Sequence, residues 1–145
     1  MQGKPFMLIL IAIVSALSFI PEAGAGDQEI LIIVNKETSI KTLGLNTLMD
    51  IYTNNKTKWD NGEKIYVSML KKGPIHETFS NQMIGMEPKK LIGIWKKVIF
   101  TGLGTPPKVL TTEAEMIQYV ASTKGAIGYI STSTPAESVK VFTLK

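Results

Sequence analysis

Ile65-Tyr66-Val67-Ser68-Met69-Leu70-Lys71-Lys72-Gly73-Pro74-Ile75-His76 changes its hydrophobic period in mid-course, and that change decides the fold. Ile65, Val67 and Met69 alternate with Tyr66 and Ser68, the two-residue period of a strand, predicted over residues 64–70. Beyond Pro74, Ile75, Phe79 and Met83 recur every four residues, which is one face of a helix. A strand that runs at once into a helix is the unit of an α/β sheet.

The same alternation extends in both directions. Ile30-Leu31-Ile32-Ile33-Val34 is an unbroken, largely β-branched apolar run, suited to a strand covered on both faces. Residues 38–42 read as a loop. Leu45, Leu48, Met49 and Tyr52 mark a short helix closed by Asn54-Asn55. Gly85-Met86-Glu87 interrupts the helix that follows Pro74, and Pro88 opens the next one, where proline is tolerated. There Leu91, Ile92, Trp95, Val98 and Ile99 share one predicted face, and Lys89, Lys90, Lys96 and Lys97 the solvated other. Residues 101–107 form a stiff loop, and Val109-Leu110 a short strand. Thr112 and Glu115 have the spacing of a capping box for a helix using Met116, Ile117 and Val120. Gly125 is expected to end that helix, with strands over residues 126–131 and 139–144. The expected architecture is one α/β domain with a sheet of four or five strands.

The first twenty-five residues read as a secretory signal. Lys4 is followed by an apolar run between Pro5 and Pro21, and Ala23-Gly24-Ala25 supplies small residues for cleavage near Ala25. The run is short of the ~20 residues that cross a bilayer comfortably. Residues 26–145 are then the mature domain, expected in the periplasm and touching membrane only through an uncleaved signal. An exported compartment holds no ATP pool and no chromosome, which removes kinase and repressor readings. The chain has no cysteine, so neither a disulfide framework nor a lipid-bearing cysteine is available. All its basic residues are lysines, giving a formal net charge of +4. Without arginine, an anion site must use backbone N–H groups, hydroxyls and point charges. The lysines look scattered, not gathered into a nucleic-acid stripe.

Enzymatic constellations are thin. His76 is the one histidine. His76-Glu77 begins like a zinc-protease helix, but Ser80 stands where a second histidine ligand is required. No serine lies in a Gly-x-Ser-x-Gly elbow. Asp50, Asp60 and Glu63 sit near helix ends and turns, where solvated acids are ordinary. No enzyme activity and no cofactor are expected. The better candidate is the strand–helix junction at Lys71, Lys72, Gly73, His76 and Thr78. It brings unpaired N–H donors and a partial positive charge to the carboxyl end of a strand, where anions settle. His76 stands either at the lip of that site or on the surface of the first helical turn. The loop carrying Thr101, Gly102, Gly104 and Thr105 adds hydroxyls and backbone donors held by Pro106 and Pro107.

Three segments in this order carry a resemblance: Leu45–Tyr52 followed by Asn55-Lys56-Thr57-Lys58-Trp59, Phe100-Thr101-Gly102-Leu103-Gly104-Thr105-Pro106-Pro107, and Gly125-Ala126-Ile127-Gly128-Tyr129. From Ile30 to about Val141 the chain resembles the short periplasmic-binding-protein-like proteins related to phosphate-binding components of ABC transporters. The resemblance implies a single lobe of a type II binding-protein fold, a four- to five-stranded mixed sheet flanked by helices. It implies phosphate or a similar oxyanion as ligand, and an ABC permease or another envelope protein as partner. In the larger relatives the turn matching residues 71–78 holds the anion with an arginine, serines and a threonine; Lys71 falls near that arginine. Short relatives commonly read Ser-Pro-x-Arg-Glu where this chain reads Gly73-Pro74-Ile75-His76-Glu77. Weak anion binding is therefore expected, and the alternative is an interaction module that keeps the fold without the ligand.

Overall fold

The computed structural model describes residues 3 and 28–144, so the predicted signal and its cleavage point lie outside the described residues. Among the described residues, five strands and four α-helices follow in the order β1 Ile30–Val34, α1 Leu45–Tyr52, β2 Tyr66–Leu70, α2 Pro74–Thr78, α3 Pro88–Thr101, β3 Lys108–Leu110, α4 Glu113–Ser122, β4 Ala126–Ser131 and β5 Lys140–Thr143. The sheet order is β3-β2-β4-β1-β5. β2 runs parallel to β3 and β4, whereas β1 is antiparallel to β4 and β5, so the sheet is mixed as expected.

β1 and β4 lie at the centre with layers on both faces, which is why their sequences are almost continuously apolar. Successive side chains leave a strand on opposite faces. Ser68 and Gly128 turn toward α4. Tyr129 turns the other way, to Tyr52 of α1 and to Phe79. Gly128 is required by contact: a Cβ there would lie 2.5 Å from Met116 Sδ and 2.8 Å from Ser68 Oγ. α4 therefore sits closer to the sheet than any side chain at that position would permit.

Local signals set most boundaries. Thr112 accepts from the Glu115 amide, and the Glu115 carboxylate accepts from the Thr112 amide, so the capping box forms. Pro88 occupies the first turn of α3. Three expectations need correction. The segment after α2 is not α-helical throughout, because Phe79–Ile84 forms a π-helical turn closed by Gly85 at φ 77°. The wider turn buries Phe79, Ser80 and Ile84 and leaves Met83 only half-buried. In α3 only Leu91, Trp95 and Val98 are buried, while Ile92 and Ile99 are 38% and 51% exposed. Finally, α4 ends at Ser122 with an extended Thr123. Gly125 instead makes the turn into β4 at φ 83°, where a side chain would run into the Lys64 carbonyl.

Gly128→Val forces the Met116 and Ser68 side chains apart. It should lower unfolding stability by about 1–3 kcal/mol in a urea titration; unchanged stability would contradict the close α4–sheet contact.

Candidate functional site

The site at the end of β2 follows from where its backbone hydrogen bonds go. β2 stays registered with β3 through Leu70, but with β4 only at Tyr66↔Ala126 and Val67↔Ile127. Beyond Val67 the groups facing β4 need other partners, since a buried, unpaired peptide group is costly. Side chains supply them. The Ser68 hydroxyl donates to the Ile127 carbonyl at 2.6 Å, and Tyr52 donates to the Ser68 carbonyl at 3.0 Å. The Leu70 amide donates to the Tyr129 hydroxyl at 2.9 Å. On the other edge the Lys71 amide donates to the Leu110 carbonyl at 2.8 Å. The strand is thus fixed up to the residue where the predicted site begins.

Gly73, at φ 108°, then swings the chain into α2, and no side chain caps the helix start. Lys71 and Lys72 are exposed beside it, and Thr78 is half-buried one turn on. Glu77 also lies in this first turn; its charge favours the helix dipole but opposes an incoming anion.

His76 is not on the surface: it is 3% exposed, and with Lys71, Pro106 and Pro107 it lines a hollow of about 300 Å³. Its Nδ1 lies 2.5 Å from the Tyr129 oxygen, and its ring stacks near Tyr129. Because the Leu70 amide already occupies that oxygen as acceptor, we assign the tyrosine proton to the bond with Nδ1, which leaves the imidazole proton on Nε2. Phe79 stacks on Tyr129 with centroids 3.7 Å apart, and Tyr52 meets Phe79 edge-on at 4.7 Å. Burial pushes the Tyr52 and Tyr129 hydroxyls well above their ordinary pKa. Burial lowers the His76 pKa, with Glu77 opposing in part.

The second predicted cluster lies elsewhere. The Thr101 hydroxyl donates back to the Lys97 carbonyl at 2.7 Å, and Gly102, at φ 69°, ends α3. Gly104 presses on Asn54, where a Cβ would lie 2.7 Å from Oδ1. The Thr105 hydroxyl accepts from Lys64 Nζ at 2.7 Å. Lys64 precedes β2 and Lys71 follows it. At ~3.3 Å per residue the two ends lie roughly 20 Å apart; Gly104 and Thr105 stay at the Lys64 end, while Pro106 and Pro107 of the same loop line a hollow with Lys71 and His76. They border a different hollow of about 490 Å³, walled by Lys56, Lys58, Lys64 and Lys108 with no carboxylate among its lining residues. Sequence reading treated these lysines as scattered. The Lys58↔Lys64 bridge that pairs their segments is the signal it lacked.

No family model matches the chain, and no curated protein matches it. Solved structures do. The fold is shared with a protein of Clostridium perfringens described as a phosphate ABC transporter substrate-binding protein and solved with bound phosphate; TM-score is 0.64 at 22% identity, over 80% of this chain and 44% of that one. An ABC-type phosphate transport receptor of Vibrio cholerae gives 0.61 at 19% identity, over 80% and 46%. PstS of Borrelia burgdorferi gives 0.62 at 14% identity, over 80% and 47%. These likenesses establish a binding-protein fold, and the chain spans less than half the length of each. Among the described residues no helix is long and apolar enough to cross a membrane, and no acidic, histidine or cysteine group could hold a metal ion.

The buried His76 generates a pH prediction. Its folded pKa is lowered, so below the ordinary ~6.5 the unfolded chain binds the proton that the folded chain refuses. Its contribution to stability is therefore lost as pH falls through that window. Between about pH 7.5 and about 5.5 the Tm of the native chain should fall further than that of His76→Gln, whose side-chain oxygen can still accept from Tyr129. Equal falls would mean that His76 is solvated.

Proposed function

We propose that this chain is an exported solute-binding domain, not an enzyme, that takes phosphate or a similar small oxyanion weakly at the turn from β2 into α2. The observation that carries the reading is the uncapped helix start at Gly73, flanked by the exposed Lys71 and Lys72 at the end of a strand anchored by Tyr129. Amide hydrogens and two point charges are the donors an arginine-free chain can offer there. A protein of the same fold solved with bound phosphate supports the ligand class.

Geometry also supports the word weakly. Gly73 contributes no hydroxyl, His76 faces the core, and Glu77 adds a negative charge in the same turn. An anion on one exposed surface keeps much of its water, and salt screens the lysines over ~8 Å. A permease that receives the loaded domain is the partner this reading implies.

A second reading is that of a periplasmic interaction module without ligand, docked on another envelope protein. It is favoured by the C-terminal end of α3 and the turn beyond it, where Phe100 is 93% exposed and Leu103 73%. Crosslinking of the mature domain in exported extract should then yield one stoichiometric adduct. That adduct should be indifferent to phosphate and lost in Phe100→Ser.

Titration calorimetry with inorganic phosphate separates the two. The first reading expects a dissociation constant of about 1 mM, weakened at least ~5-fold in Lys71→Ala/Lys72→Ala. Absence of heat at about 10 mM phosphate would retire it.

A further inference from the structure

We propose that the hollow at the N-terminal ends of β2 and β3 is a separate binding site for an organic phosphate monoester, a dianion carried on an apolar body. It lies at the other end of β2 from the turn described above and uses none of the residues at 71–78.

Three observations converge there. The first is charge. Lys58 and Lys108 line the hollow with neither an ion pair nor a side-chain hydrogen bond, and no aspartate or glutamate lines it with them. Lys64 adds a third cation, its Nζ held by Thr105 and lying 5.1 Å from the Tyr66 ring centroid. Clustered ammonium groups repel one another, and a dianion between them relieves that repulsion. The second is an orphan donor. The indole Nε1–H of Trp95 is buried without an acceptor, and Trp95, 4% exposed, lines this hollow as well as the one beside Lys71. A native protein rarely leaves such a group unpaired, and a ligand oxygen reached by a small shift of the indole would satisfy it. The third is size and surface. About 490 Å³ is the volume of a site for an organic ligand rather than a bare ion. Tyr66, Tyr119 and Pro106 supply ring and ring-like faces for the part of the ligand that is not charged.

Phenyl phosphate is the probe, titrated into the mature domain and followed by tryptophan fluorescence and calorimetry. We expect saturable binding at least ~10-fold tighter than that of inorganic phosphate at this site. Lys58→Ala/Lys108→Ala, two exposed positions, should weaken it ~10-fold or more. Trp95→Phe should abolish the fluorescence response; because that variant disturbs packing, the lysine pair read by calorimetry is the deciding variant. No saturation at about 10 mM, or equal affinity in the lysine variant, would overturn the proposal. So would loss of phenyl phosphate binding in Lys71→Ala/Lys72→Ala alone, which would place the ester at the β2–α2 turn. Inorganic phosphate heat lost only in that variant tests the other site, so the two failures are distinguishable.

Discussion

The hydroxyl of Tyr129 holds the end of β2, and the rest of the molecule is arranged around that bond. Once β4 parts from β2 after Val67, the Leu70 amide has no strand to pair with, and Tyr129 reaches across to accept it. The same oxygen meets His76, and the same ring stacks on Phe79. One side chain thus ties a strand end to both α2 and the π-helical turn. Burial keeps each of these groups neutral, and low local dielectric strengthens the bonds between them. The arrangement explains why a lone histidine in this chain is structural.

That anchorage decides what the neighbouring turn can do. Lys71, Lys72 and the amides beyond Gly73 hang from a fixed strand end, so their geometry is set before any ligand arrives. Preorganised donors spend little ordering free energy on binding. Yet the chain brings few of them, because it has no arginine and its first helical turn contains Glu77. The opposite end of β2 has more cations and a larger hollow, about 490 Å³ against about 300 Å³. A single strand therefore separates two lysine-bearing environments of different shape.

Much of this architecture was legible in the sequence, and particular residues show why. Thr112 and Glu115 announce their capping box at three-residue spacing, and Pro88 marks a helix start, because caps and prolines act locally. The apolar run at residues 30–34 is legible because a strand buried on both faces leaves no room for polar side chains. The π-helical turn was not, since one extra residue per turn leaves no mark in a four-residue pattern that Ile75, Phe79 and Met83 already satisfy. The inward turn of His76 depends on Tyr129, fifty-three positions away, and no local rule connects them. The lysines of the hollow come from three separate segments and meet only once the sheet has assembled. The strand–helix junction at residues 71–78 was legible as a piece of backbone, because Gly73-Pro74 marks it locally.

Hydrogen exchange at the Leu70 amide probes the central bond most directly. In the native chain this amide should be protected as well as the Ile32 amide in the middle of β1, although β2 has no ladder partner there on its β4 side. In Tyr129→Phe, Leu70 exchange should accelerate ~10-fold or more beyond any change at Ile32, because a buried donor loses its acceptor. If both amides change in proportion, the hydroxyl does not hold the strand end, and the account of how the turn at Gly73 is positioned is wrong.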